Sequence, residues 1–257
     1  MKKKPLLLAL TLALVPLVVS AADQDDFGTW YELGATKLLP RNFSLGAEAE
    51  LRLQDGSSKA DRLALSLKTE YRAHKHLRLG LGYSFLHGYT PDKMGSKRFT
   101  PGYWTPRHRV NLEATGSVKF WRWLRIGLRE RYQYTYRPGQ TIDRYPLIYD
   151  GNGDYTGYDM DDNEPKTRAS LHSHRLRSRL KLSLDKKGLK WEPFIAVEAQ
   201  NELNRKMHLH KVRTHVGTEY KINKQHALSL AYVFSCATDE QPRERQHALS
   251  MGYNFKF

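Results

Sequence analysis

Basic residues recur at every second position in several stretches of this 257-residue chain. Arg107 with Arg109, Arg125 with Arg129 and Arg131, and Arg175, Arg177 and Arg179 with Lys181 each share one parity, and Arg213 stands alike in a later stretch. Carboxylates recur in the same manner at Glu48, Glu50, Glu70, Glu113, Glu192, Glu198, Glu202 and Glu219. Two chemistries follow if these side chains face one enclosed space. An unneutralised basic row attracts and holds anions. A ladder of paired Arg and Glu instead neutralises itself and fills the space. A second candidate is the acidic loop 150–162. Asp150, Asn152 and Asp154 place oxygen ligands at positions one, three and five, with the Thr156 carbonyl at seven and Asp161 at twelve, the spacing of a calcium loop. Tyr155 stands where such loops carry glycine, and Asp161 replaces the usual glutamate, so a plain acidic turn is the alternative. His172 with His174 and His208 with His210 are also spaced by two. Ser170, Ser173 or Asp239 could pair with such a base. No nucleophile motif surrounds them, and no catalytic residue is assigned.

The spacing that groups these side chains is the period of a β-strand, whose successive residues point to opposite faces. Phe43, Leu45, Ala47, Ala49, Leu51 and Leu53 oppose Ser44, Glu48, Glu50, Arg52 and Gln54. Leu63 to Tyr71 repeats the pattern, as do Leu77–Phe85, Val110–Val118, Leu124–Tyr136, Leu176–Leu184, Trp191–Ala199, Val212–Ile222, Leu228–Phe234 and His247–Phe257. These segments are longer than the usual strand of about 5–6 residues. They suit a tilted membrane-crossing strand, which needs about 9–11. The polar face is too charged for a sandwich core or a lipocalin-like interior. A polar lumen inside an apolar exterior accounts for both faces. Closure is then required, because an open edge in lipid leaves backbone groups unpaired. The expected fold is therefore all-β, a closed antiparallel transmembrane barrel. Eleven segments can be counted from Trp30 onward, and bacterial barrels carry even numbers. The expectation is ten or twelve strands, with twelve favoured through a short partner within residues 23–29. Connections alternate between short turns, assigned to the periplasm, and longer extracellular loops. Phe120, Trp121, Trp123, Trp191 and Tyr220 mark one girdle; Tyr89, Trp104, Tyr134, Tyr136 and Phe234 mark the other.

Residues 1–22 have the three parts of a secretory signal: Lys2–Lys4, an apolar run from Leu6 to Val19, and small residues up to Ala22. The expected organisation is a signal peptide at 1–22 and one barrel domain at 23–257. The formal charge is +15, and loss of the three leader lysines leaves +12. Nucleic acid is a poor partner for an exported chain, so a basic lumen is the better account. The single cysteine, Cys236, excludes an intrachain disulfide framework.

The C-terminal stretch Leu249-Ser-Met-Gly-Tyr253-Asn-Phe255-Lys-Phe257 resembles the terminal signature of outer-membrane barrel proteins. That resemblance implies that Tyr253, Phe255 and Phe257 form the signal read by the barrel assembly machinery. More broadly, the chain resembles the outer-membrane family named domain of unknown function 2490. The matching stretches are the opening Trp30 strand, Asn42–Arg52, Arg107-His-Arg109, Arg175-Leu-Arg-Ser-Arg-Leu180, Trp191-Glu-Pro-Phe194 and the Phe-terminated end. The family implies a barrel in the cell outer membrane and brings no activity to any residue. A weaker likeness is to small porins for acidic oligosaccharides. The leading expectation is a narrow channel or binding barrel for anionic solutes, with no cofactor beyond calcium in loop 150–162. The alternatives are a closed-lumen structural or assembly-partner barrel and, in third place, an outer-rim hydrolase.

Overall fold

Strict alternation of apolar and charged side chains demands a wall with different surroundings on its two sides, and the computed structural model of the protein is such a wall. It describes residues 25–238 and 245–257. The expected signal peptide and Asp239 lie outside the described residues. Eleven strands close into a barrel. They are β1 (Asp25–Leu38), β2 (Phe43–Gln54), β3 (Lys59–His74), β4 (Leu77–Thr90), β5 (Tyr103–Lys119), β6 (Leu124–Arg137), β7 (Leu171–Leu184), β8 (Trp191–Glu202), β9 (His208–Lys221), β10 (His226–Ala237) and β11 (Arg245–Lys256).

Consecutive strands pair antiparallel all the way round, except at the seam. There β1 pairs with β11 in parallel, from Asp25↔Arg245 to Thr36↔Lys256. The expected count of ten or twelve and the all-antiparallel wall are both corrected by this seam. Residues from Asp25 do not form a separate partner strand; they are the start of β1 itself. An odd meander brings its first and last strands together pointing the same way. A parallel ladder satisfies their backbone groups as closure requires. The chain end is drawn into the seam: Phe257 N–H donates to the Thr36 carbonyl at 3.0 Å, and Leu38 N–H to the Phe257 carbonyl at 2.8 Å.

Connections at one end of the barrel run from two to six residues, and those at the other from four to thirty-three. Arg41 and Asn42, at φ 58° and 66°, make the tight β1–β2 turn, where positive φ at both central residues matches the twist of the flanking strands. At the opposite end, residues 145–158 join residues 93–100 in a four-strand sheet, and residues 140–142 pair with 166–168 in a two-strand ladder.

The usual burial pattern is inverted. Leu33 and Leu65 are each 63% exposed on the outer face, while Glu198 is fully buried inside. Among the described residues, Trp30, Val233 and Ala248 form a buried apolar cluster. Elsewhere the lumen is filled by polar chains and by close backbone approach. At Gly217, a Cβ would stand 2.3 Å from the Leu230 carbonyl oxygen, so only glycine fits.

Candidate functional site

The lumen gathers charges from almost every strand, and its middle is the most densely paired. Glu198 on β8 receives Arg177 of β7 at 2.5 Å on one carboxylate oxygen and Arg129 of β6 at 3.1 Å on the other. Arg213 of β9 approaches to 3.9 Å, and Gln200 donates to Glu198 at 3.1 Å. Glu50 of β2 accepts from Arg52 at 2.7 Å and from Arg62 at 3.2 Å. Trp30 of β1 projects inward between the two groups. The Arg52 guanidinium stacks 3.7 Å from its ring centroid, and Arg213 stands 5.1 Å away. A planar guanidinium over an indole face is favourable, more so when shielded from water. Together these side chains form a waist.

A cavity lies on each side of the waist. The chamber facing the short-turn end has a volume of about 1110 Å³ and reaches the turn residues Arg41 and Asn42. The chamber toward the long-loop end has a volume of about 360 Å³. Trp30, Glu32, Lys68, Arg129, Arg131, Arg179 and His215 line both. The loop-side chamber is bordered by eleven Lys and Arg side chains against three Glu. Arg109 has no carboxylate within ion-pair distance among the described residues. Its one described hydrogen bond runs from Nε to the Thr135 hydroxyl at 3.1 Å. Buried Nε groups of Arg107, Arg129, Arg175 and Arg179 also lack acceptors among the described residues. A row of such donors suits carboxylate or phosphate oxygens, which guanidinium groups bind through two parallel N–H bonds.

The residues expected from the sequence are thus split between two arrangements. Arg129, Arg177 and Arg213 converge on Glu198. Arg131 pairs with Glu113 at 2.6 Å, Arg175 with Glu202 at 3.1 Å, and Lys181 with Glu219. Glu70 lies 3.4 Å from Lys68, and Glu192 pairs with Lys221. Glu48 borders the loop-side chamber. Arg125 leaves the row for the short-turn end, where it meets Asp185 together with Lys119. Hydrogen bonds from Lys119 first, then Arg125, hold the Asp185 carboxyl below its ordinary range. The site residues expected from the sequence did not include Trp30, Glu32, Arg52, Arg62 or His215, although the alternation puts Arg52 on the polar face. All carry the lumen parity of their strands; an aromatic opening residue and scattered single charges simply do not form a row.

The other candidate groups are placed elsewhere. Asp150 Oδ1 accepts the backbone N–H groups of Asn152 and Asp154, both at 2.9 Å, and closes a turn. Thr156 donates its hydroxyl to the Ile148 carbonyl at 3.2 Å, and the Asp161 N–H donates to Asp159. No group of three or more His, Cys, Asp or Glu stands together as a metal site among the described residues. His172 and His174 lie on the outer face of β7, hydrogen-bonded through Nδ1 to Tyr134 and Tyr132 at 2.6 Å each. Both rings also lie against these tyrosines, in an aromatic rim. Tyr253 and Phe255 flank His226, and Phe255 stacks with Phe257 at 5.3 Å. At the short-turn end, Trp191 meets Tyr220 at 4.5 Å and Trp121 meets Trp123 at 5.3 Å.

A family model described as a protein of unknown function (DUF2490) matches residues 27–246. No curated protein matches the chain.

Proposed function

The chain belongs to the protein family of unknown function DUF2490, and from that premise we propose that it is an outer-membrane barrel whose lumen binds and admits small anionic solutes. The observation that carries the reading is the loop-side chamber, with eleven cationic side chains against three carboxylates and with Arg109 lacking any carboxylate partner among the described residues. The chamber volume of about 360 Å³ lies in the range of small-ligand pockets. The fitting solute class is phosphorylated or carboxylated small molecules. They would enter the loop-side chamber from the long-loop end and dock against Arg109, Arg175 and Arg177. The waist around Glu198 and Trp30 then decides between passage and retention.

Insertion in the outer membrane is supported by outward leucines, by aromatic pairs near both strand ends and by the signal expected at 1–22. In that placement the short turns face the periplasm and the long loops the exterior. The outer surface meets lipid, and Tyr253, Phe255 and Phe257 present the strand that assembly machinery would recognise. One observation favours the second reading, a closed structural barrel. Glu198 is fully buried beneath three arginines, and such a knot both fills the lumen and ties β6, β7, β8 and β9 together.

Planar-bilayer recording in asymmetric potassium chloride, with calorimetric titration of inorganic phosphate, tests the proposal. Anion-selective steps, or phosphate binding, should appear in the wild type and fall in Arg109→Glu. Silence at every voltage together with no heat of binding would reject the anion role and leave the closed barrel.

A further inference from the structure

Two charges of opposite sign meet across the lumen without touching. Glu32 on β1 and Arg179 on β7 each border both chambers, so they stand where the chambers join. Among the described residues neither makes an ion pair or a side-chain hydrogen bond. Glu198 faces Arg179 directly across the β7–β8 ladder, but its two carboxylate oxygens are taken by Arg177 and Arg129. Glu32 stands opposite Glu50 on β2, whose charge is met by Arg52 and Arg62. Glu48, on the same face of β2, borders the loop-side chamber and has no cation within ion-pair distance among the described residues.

The strand order sets these two walls against each other. In the closed barrel β7 lies six strands from β1 one way round and five the other, so it faces β1 across the lumen. Glu32 and Arg179 are near enough for each to feel the other's charge, yet the space between them is cavity. The β6–β7 wall is basic at this level, with Arg179 directly opposite Arg129 and Arg177 opposite Arg131. The β1–β2 wall is acidic through Glu32, Glu48 and Glu50. A simple anion docked at Arg179 answers the basic wall and sets its own charge against the carboxylates of the other. A solute that also carries an ammonium group answers both walls, and charges that are shielded from water attract more strongly than charges in bulk solvent.

Resting on the reading of the lumen as an anion-binding chamber, we propose that its solute is a small zwitterion, an amino acid whose carboxylate meets Arg179 and whose ammonium group meets Glu32. The guanidinium fork of Arg179 matches a carboxylate. An ammonium group has three protons to donate, and Glu48 offers a second acceptor on the same wall. Arg175, Arg177 and Arg179 succeed one another along one face of β7. An acid group that docks at the loop end of this row therefore moves along it to Arg179, and the ammonium group then comes opposite Glu32.

Calorimetric titration of the full chain in phosphatidylcholine vesicles tests this. The probes are glycine, γ-aminobutyrate and ε-aminohexanoate, each beside the acid of the same length that lacks the amine: acetate, butyrate and hexanoate. At one of these lengths the amino acid should bind about tenfold more tightly than its acid, for one added charged hydrogen bond. Glu32→Gln should abolish that advantage and leave binding of the plain acid no weaker. Arg179→Met should weaken both. Unchanged heat-modifiable gel migration verifies folding of each variant, and the comparison of probes in the wild type needs no variant at all. Plain acids that bind as tightly as the amino acids at every length, or an amine advantage that survives Glu32→Gln, would overturn the proposal and leave the anion-binding reading standing. No heat from amino acids, plain acids or inorganic phosphate would overturn both.

Discussion

Glu198→Gln removes the negative charge that three arginines share in the waist while keeping the size of the side chain. Arg177, Arg129 and Arg213 then remain with 15%, 21% and 10% of their side-chain surface exposed and no carboxylate at Glu198 to meet. Breaking a buried ion pair by neutralising one partner costs about 3–5 kcal/mol, because the other charge is left buried. Two circumstances decide where in that range the variant falls. Three cations share the loss, which raises the cost. The flanking chambers of about 1110 and 360 Å³ admit water, which lowers it. About 3 kcal/mol is the expected value, roughly a hundredfold in the folding constant. The assay is equilibrium unfolding by urea in lipid vesicles, followed by tryptophan fluorescence. Trp30 lies 3.7 Å from the Arg52 guanidinium within the same waist, so its emission should shift before unfolding begins. The companion variant Arg177→Met/Glu198→Met removes charge of both signs and should lose less stability than Glu198→Gln. If Glu198→Gln costs under about 1 kcal/mol, in the range of an exposed ion pair, the waist is hydrated and the argument for a packed ionic knot fails.

Asp185 makes a pH test. Its carboxyl is held below the ordinary range in the folded state by Lys119 and Arg125. Its stabilisation is therefore complete above the unfolded value near 3.9 and fades as pH falls through the depressed folded value. Asp185→Asn should lower the urea midpoint at pH 7 and match wild type at the acid end; an equal deficit at both would refute the ionic account. Deleting Phe257 removes the carbonyl that accepts from Leu38 N–H and the ring beneath Lys37. Unassisted folding into vesicles should slow and the heat-modifiable band weaken, and unchanged yields would show that the seam does not depend on the last residue. The calcium expectation for loop 150–162 is checked by calorimetry: one ion per chain in the wild type, lost in Asp150→Ala/Asp154→Ala, with no calcium-dependent heat removing it. The same double variant frees the two backbone N–H groups held by Asp150. It should increase amide exchange at Asn152 and Asp154 without moving the unfolding midpoint of the wall.

Alternation is a local property with a period of two, so the sequence alone determined which side of each wall strand is charged, that the interior is polar, and that the wall must close. It placed Arg129, Arg177, Arg213 and Glu198 on one face before any partner was known. Partnership depends on strand register and on chords across the lumen, which no period encodes. Arg129 meets Glu198 across 69 residues and Arg177 meets it across 21, while Arg125 turns from the same row to Asp185. Pairing also decided the strand number. The segment before Trp30 reads equally well as a separate short strand or as the first turn of β1. Only the ladder Asp25↔Arg245 to Thr36↔Lys256 showed that an odd barrel closes here through a parallel seam. The backbone groups of two edge strands need partners whichever way the strands point, and the geometry of closure, not the side chains, selects the direction.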